Sequence, residues 1–252
     1  MKAIIVANWK MNPPNFVSAK RLFGATKNAA ARARGVAVVV APPAIFLREL
    51  RANYRSKKIA FAVQNAYVEE KGAFTGEISL VQAHDAGASY VIVGHAERRA
   101  MGETSDDTRY KVATALSLKM TPILCVGEKE RGRDGGYFDV IKEQLRIGLA
   151  DVPENKIAKV IIAYEPVWAI GASEAMSPQE MHTMAVFIRK TIVEMRGKGG
   201  MSLKILYGGA IDESNAVAML KEGDVDGLLI GRASAEAKKS TALIQTIAKA
   251  YV

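Results

Sequence analysis

The chain is poor in sulfur and imidazole. Cys125 is its only cysteine, so no intrachain disulfide can form, which agrees with a reducing compartment. Three histidines, His84, His95 and His182, together with one thiol give no metal-ligand spacing, and no metal is expected. There is no apolar run of the roughly 20 residues that a bilayer-spanning helix needs. The opening Met1-Lys2-Ala3-Ile4-Ile5-Val6-Ala7-Asn8 breaks at Asn8-Trp9-Lys10, too early for a signal-peptide core and without a cleavage-type end. It reads as a first strand, and a cytoplasmic location is the expectation. Low-complexity stretches and linkers are also missing.

What is present suits a large buried core: 49% of the 252 residues are apolar and 24% are charged. Net charge is +9, from 35 basic and 26 acidic side chains, a balance that fits nucleic acid, an acidic surface or a small anionic substrate. The basic residues are dispersed. Their densest cluster, Arg48, Arg51, Arg55, Lys57 and Lys58, has one aromatic, Tyr54, and no recognition motif; it reads as a solvated helix face. Neither a nucleic acid nor a membrane is expected as a partner.

Short apolar runs alternate with helix-length patterns from one end to the other. The runs are 3–7, 36–41, 59–63, 90–93, 122–126, 160–163, 203–206 and 228–230, several rich in Val and Ile. Such runs predict parallel strands buried on both faces. Between them, Met181, Met184, Ala185, Ile188, Ile192 and Met195 recur at helical steps, with Ser177-Pro178 opening that helix and Gly197 closing it. Asp212 is expected to cap a helix that holds Ala216, Val217 and Leu220 and ends at Gly223. Eight strands, each followed by a helical segment, predict a single (β/α)8 barrel domain over 1–252; an open doubly wound sheet is the alternative.

A barrel places chemistry where its strands end. Asn8 and Lys10 follow the first run, Gln64 and Asn65 the third, His95 and Glu97 the fourth, Glu128 the fifth and Glu165 the sixth. Glu165, at an apolar mouth beside Trp168, is expected to be partly desolvated, which raises a carboxylate's pKa and makes it a better base towards a carbon acid. His95 opens a helix, where the positive dipole end favours neutral imidazole, able to donate to a carbonyl that becomes an enediolate. Lys10 offers a fixed cation to developing negative charge. Each residue type also has a structural use: a glutamate pairs with lysine, a histidine caps a helix, a lysine is solvated. His84 and His182 fall inside helix patterns and are read structurally. Tyr207-Gly208-Gly209-Ala210 and Ile230-Gly231-Arg232 follow the last two runs, the usual phosphate position in this architecture.

Together the motifs resemble triosephosphate isomerase over essentially the whole chain. They are Asn8-Trp9-Lys10-Met11-Asn12, Gln64-Asn65 with Gly72-Ala73-Phe74-Thr75-Gly76-Glu77, and Gly94-His95-Ala96-Glu97-Arg98-Arg99, followed by Cys125-Val126-Gly127-Glu128, Tyr164-Glu165-Pro166-Val167-Trp168-Ala169-Ile170-Gly171 and Tyr207-Gly208-Gly209. The six stand in the family's order and spacing. The resemblance implies an enzyme of glycolysis and gluconeogenesis that interconverts dihydroxyacetone phosphate and glyceraldehyde 3-phosphate without a cofactor. On it, Glu165 moves the proton, His95 stabilises the enediolate oxygens, Lys10 supplies positive charge, Asn8 orients the substrate and Glu97 hydrogen-bonds nearby; the glutamate base and neutral histidine are this family's standard pairing. Gly171, Ser173, Ala210, Gly231 and Arg232 are implied at the phosphate. Residues 166–176 are implied to form a lid that excludes water, and the loop carrying Thr75 is implied to reach Asn8 and Lys10 of a second copy in a homodimer.

Some positions depart from the family pattern. Ala96, Ser173 and Ala210 stand where serine, glycine and serine are usual, and Arg232 replaces a second glycine. These changes are expected to tune phosphate grip and lid closure, with Arg232 either adding charge to the phosphate or pointing into solvent. Two other readings stay open at this stage: a barrel isomerase for a larger phosphosugar, and a barrel that has lost catalysis and senses a phosphate ligand.

Overall fold

A computed structural model of the chain describes residues 3–169 and 176–251. Eight parallel strands close into a barrel in chain order: β1 (Ala3–Asn8), β2 (Val36–Ala41), β3 (Ile59–Val63), β4 (Tyr90–Val93), β5 (Thr121–Val126), β6 (Ile161–Tyr164), β7 (Lys204–Tyr207) and β8 (Gly227–Ile230). The ring closes through β1 and β8, where Ile4 pairs with Gly227 and Ala7 with Ile230. The outer helices are α1 (Phe16–Arg32), α2 (Ala44–Ala52), α3 (Leu80–Asp85), α4 (Ala96–Ala100), α5 (Ser105–Ser117), α6 (Tyr137–Gly148), α7 (Pro178–Arg196), α8 (Ala216–Glu222) and α9 (Ala237–Ala250). The β4–β5 connection carries both α4 and α5, because Thr104 restarts the chain as a helix with a capping box to Asp107.

The apolar runs hide a strand's two-residue alternation because both faces are buried. Packing separates them. Ile4 and Val6, Val39 and Ala41, Ile123 and Cys125, and Ile161 and Ala163 fill the barrel interior, while Ile5, Val38, Val40, Leu124 and Ile162 join the layer beneath the helices. Continuing the inward parity one step past the last interior residue gives Asn8, Gln64, Gly94, Gly127, Glu165, Gly208 and Gly231 on seven strands and Pro43 after β2. On those seven strands the inward series turns polar or loses its side chain where the barrel opens.

Two local expectations change. Asp212 does not cap α8: its Oδ1 accepts from Ser214 N at 2.8 Å, tying a turn, and Asn215 directly precedes the helix. The basic cluster does not share one helix face, since α2 ends at Ala52. Tyr54 is buried there, with its ring 5.4 Å from that of Phe23 and its hydroxyl accepting from Ile59 N at 3.0 Å. His84 and His182 are exposed, on α3 and α7. Among the described residues no helix is long and apolar enough to cross a membrane.

Candidate active site

A cavity of about 560 Å³ opens at the C-terminal end of the barrel. Asn8, Lys10, His95, Glu97, Glu165 and Gly208 line it. Ala210, Gly231 and Arg232 line it as well. Nine residues singled out from the sequence on five separate stretches therefore face one space; Gly171 and Ser173 lie outside the described residues.

Glu165 leaves β6 into this cavity and is only 3% exposed. Its backbone is pinned by Glu165 N donating to Val126 O at 2.8 Å. Oε2 accepts from Ala96 N at 3.1 Å, and Oε1 lies 3.3 Å from His95 Nε2. Trp168 donates from its indole Nε1 to Glu128 Oε1 at 2.9 Å. A Cβ on Gly208 would stand 2.8 Å from Glu165 Cγ, so glycine there leaves the carboxylate its space.

His95 is the N-cap of α4. Its Nδ1 accepts from Glu97 N at 3.2 Å. A ring nitrogen that accepts a backbone N–H carries no proton, so this bond assigns the tautomer with hydrogen on Nε2, the atom facing Glu165. The positive end of a short helix thus acts through one amide on one nitrogen.

Lys10 sits at φ +53°, the left-handed region that non-glycine residues seldom occupy. The conformation is held from both sides: Lys10 N donates to Asn8 Oδ1 at 3.1 Å, and Gln64 Nε2 donates to Lys10 O at 2.8 Å. Gln64 also bonds Ala41 O at 2.8 Å, tying the loop to the end of β2. The ammonium reaches Glu97 Oε1 at 2.5 Å. A Cβ on Gly231 would lie 3.0 Å from Lys10 Cε, so that glycine lets the lysine stem cross the mouth. Asn65 has a structural part: its Oδ1 accepts from Lys111 Nζ at 3.0 Å, which pairs with Glu103 at 2.5 Å in the interior.

Beside Lys10, Gly231 opens a 3-10 turn over Arg232–Ala235. First-turn amides have no intrahelical acceptor, so they are available to an anion. Asn215 Nδ2 donates to Ala210 O at 2.9 Å and braces the β7 loop. Lys239 of α9 lines the same cavity, its Nζ 2.8 Å from Glu236. Nothing in the sequence marks Lys239, which looks like any exposed helix lysine in an i,i+3 pair. Arg131 was also missed, although its three-residue step from Glu128 is a visible signal.

Glu128 does not join the cavity. It is 1% exposed and accepts from Tyr164 Oη at 2.8 Å, Trp168 Nε1 at 2.9 Å and Arg131 Nε at 3.0 Å. Burial and the Glu128 carboxylate push the Tyr164 phenol far above its ordinary range. Beyond the undescribed stretch, Met176 N donates to Tyr207 Oη at 3.3 Å, and burial pushes that phenol up to about 12. Cys125, buried beneath the site, has its thiol raised well above normal by burial and the Glu165 charge, so it is inert packing.

The family model described as triosephosphate isomerase matches residues 3–247. The chain is 39% identical to a protein named triosephosphate isomerase from Endomicrobium trichonymphae, over 97% of this chain and 98% of the relative. It is 38% identical to the one so named from Lawsonia intracellularis, over 97% and 98%. For the one so named from Caldanaerobacter subterraneus the identity is 41%, over 92% and 94%.

Proposed function

The chain belongs to the triosephosphate isomerase family, and we infer that Glu165, His95 and Lys10 perform its chemistry in the cavity at the barrel mouth. The enzyme interconverts dihydroxyacetone phosphate and D-glyceraldehyde 3-phosphate through an enediolate. Glu165 takes a proton from C1 of the ketose, and the electron pair flows into the C2 carbonyl. Negative charge develops on O2, where His95 Nε2–H donates and the Lys10 ammonium lies close. The protonated Glu165 returns its proton to C2, while the hydroxyl proton moves from O1 to O2 and leaves an aldehyde at C1. Asn8 sets the Lys10 backbone and orients the substrate; Glu97 aims both His95, through its amide, and Lys10, through its carboxylate.

The observation that carries this reading is the 3.3 Å approach of His95 Nε2 to Glu165 Oε1 across one cavity. A donor and a base so placed can act on adjacent carbons when a substrate oxygen replaces the carboxylate as acceptor. The phosphate goes to the amides of Ala210, Gly231 and Arg232 and to the charges of Arg232 and Lys239; Gly171 and Ser173 are proposed as further phosphate contacts. The protein acts as one domain in the cytoplasm.

The active form is a homodimer in which the Thr75 loop of one copy approaches Asn8 and Lys10 of the other. Large apolar side chains stand exposed in the segments after four consecutive strands: Met11 (92%), Ile45 (83%) at the start of α2, Phe74 (38%) and Met101 (74%). Exposure of this kind supports the dimer reading.

Incubation of dihydroxyacetone phosphate in heavy water with the enzyme tests the proton route. Deuterium is expected at the exchanged carbon at a rate that tracks isomerisation; isomerisation without any exchange, or rates within about tenfold of the uncatalysed reaction, refutes it.

A further inference from the structure

A second cavity, of about 420 Å³, lies at the opposite end of the barrel, between the N-terminal ends of β4, β5, β6 and β7. Its lining carries Lys119, Lys156, Lys159 and Lys204, together with Tyr90 and Thr121. Ile4 and Ile161 of the barrel interior form its floor. No carboxylate lines it, and among the described residues none of the four ammonium groups is in an ion pair.

In this architecture the N-terminal face is read as a stability face, so a helix-end explanation for the lysines comes first. Lysines do complement helix C-termini, and α5 ends at Ser117 just before Lys119, while the 3-10 segment Glu154–Lys159 ends on Lys159. Each helix end supplies only about half a negative charge. Two ends therefore offset about one of four cations. The remaining positive charge is concentrated over a concave, partly apolar surface of ligand size. Lys119 has a defined turn backbone, in the left-handed region at φ +61°, with its amide donating to Leu116 O at 3.3 Å. The Tyr90 phenol is raised by burial, so it stays a hydroxyl donor at neutral pH.

We propose that this cavity is a second anion site, for a small ligand that carries two or more phosphate groups, distinct from the substrate's single phosphate at the other end. Strands of four to six residues separate the two sites by about 15 Å, so the ligand does not compete with substrate for space. The phosphate chain meets the lysine rim and the two hydroxyls, and an organic part, when present, covers the Ile4–Ile161 floor.

The test is calorimetric titration of the whole protein with tripolyphosphate at low salt, with glycerol 3-phosphate present to fill the substrate site. One class of site is expected in the wild-type protein. In the Lys119→Gln/Lys204→Gln variant its affinity falls about tenfold or more, while isomerase turnover stays at the wild-type level and reports correct folding. A parallel titration with ATP separates the sources: equal affinity assigns the site to the phosphate chain alone, and tighter binding assigns it to a nucleotide lying on the floor. Absence of binding to the wild-type protein, unchanged affinity in the variant, or loss of binding when glycerol 3-phosphate is present each overturns the proposal.

Discussion

Glu128→Ala removes a buried carboxylate that three donors share, and its cost can be worked from those donors. Tyr164 Oη, Trp168 Nε1 and Arg131 Nε lose an acceptor at 2.8–3.0 Å. Hydrogen bonds to a charged group contribute about 1.5–3 kcal/mol each. Two of the donors have another outlet. Trp168 is 39% exposed and reaches water, and Arg131 keeps Glu180 at 3.5 Å. Tyr164 is fully buried and keeps only the bond it accepts from Arg131 Nη2 at 3.0 Å. The expected loss is therefore about 3 kcal/mol, the low end of the range for breaking a buried pair. In a chain of this length that lowers Tm by about 6–12 °C. Glu128→Gln keeps the shape and one acceptor oxygen, so its loss should be less than half as large. Calorimetry on the three proteins, with the substrate KM measured alongside, checks both numbers. A Glu128→Ala protein within about 1 kcal/mol of wild type, or a Gln variant as unstable as the Ala variant, refutes the assignment of Glu128 as the anchor beneath Trp168.

Three other outcomes follow from the geometry. Lys10→Met removes the cation that lies beside His95 and Glu97 in the cavity; kcat/KM should fall by about 10²–10³ in steady-state assays, and an effect under tenfold contradicts its role. Arg232→Gln combined with Lys239→Gln should raise KM about threefold to tenfold with kcat little changed, and should flatten the dependence of kcat/KM on ionic strength; an unchanged salt dependence means that neither cation meets the phosphate. The carboxyls of Glu180 and Asp107 are held below their ordinary values: Glu180 by the hydrogen bonds that Ser177 donates, and Asp107 by Thr104, which outweighs burial acting the other way. A depressed carboxylate stabilises the fold above its unfolded pKa, 4.5 for Glu180 and 3.8 for Asp107, and that stability is lost as pH falls through the folded value. Thermal melts should drop steeply below pH 4.5, and Ser177→Ala together with Thr104→Ala should shrink that acid-dependent part; an identical slope in the double variant contradicts the assignment.

The eight strands were legible because a barrel strand buried on both faces must be apolar throughout, and most runs end where a polar or glycine residue appears. That same continuity concealed which residues face inward. Once packing fixes the parity, Asn8 and Glu165 fall on the inward series, which explains why they and not their neighbours enter the cavity. Asp212 was misread because an aspartate before a helical pattern serves equally well as an Asx-turn residue, and Ser214 captured it first. The Ala96 N–H that holds Glu165 was invisible, since a backbone donor carries no residue signature. It supplies a hold on the open base at the position where the family usually has a serine hydroxyl. The approach of Gly208 to Glu165 and that of Gly231 to Lys10 join the ends of neighbouring strands that are far apart in sequence, and no local pattern encodes them.

The decisive measurement is turnover of purified wild-type enzyme and Glu165→Asp on glyceraldehyde 3-phosphate, followed as dihydroxyacetone phosphate formed. Aspartate keeps the charge and withdraws it from the substrate carbon by about one methylene, a displacement that costs about a hundredfold in rate when the group is the base. Fast wild-type turnover, a kcat about a hundredfold lower in the variant and a similar KM are expected. No turnover in either protein, or equal rates in the two, contradicts Glu165 as the group that carries the proton.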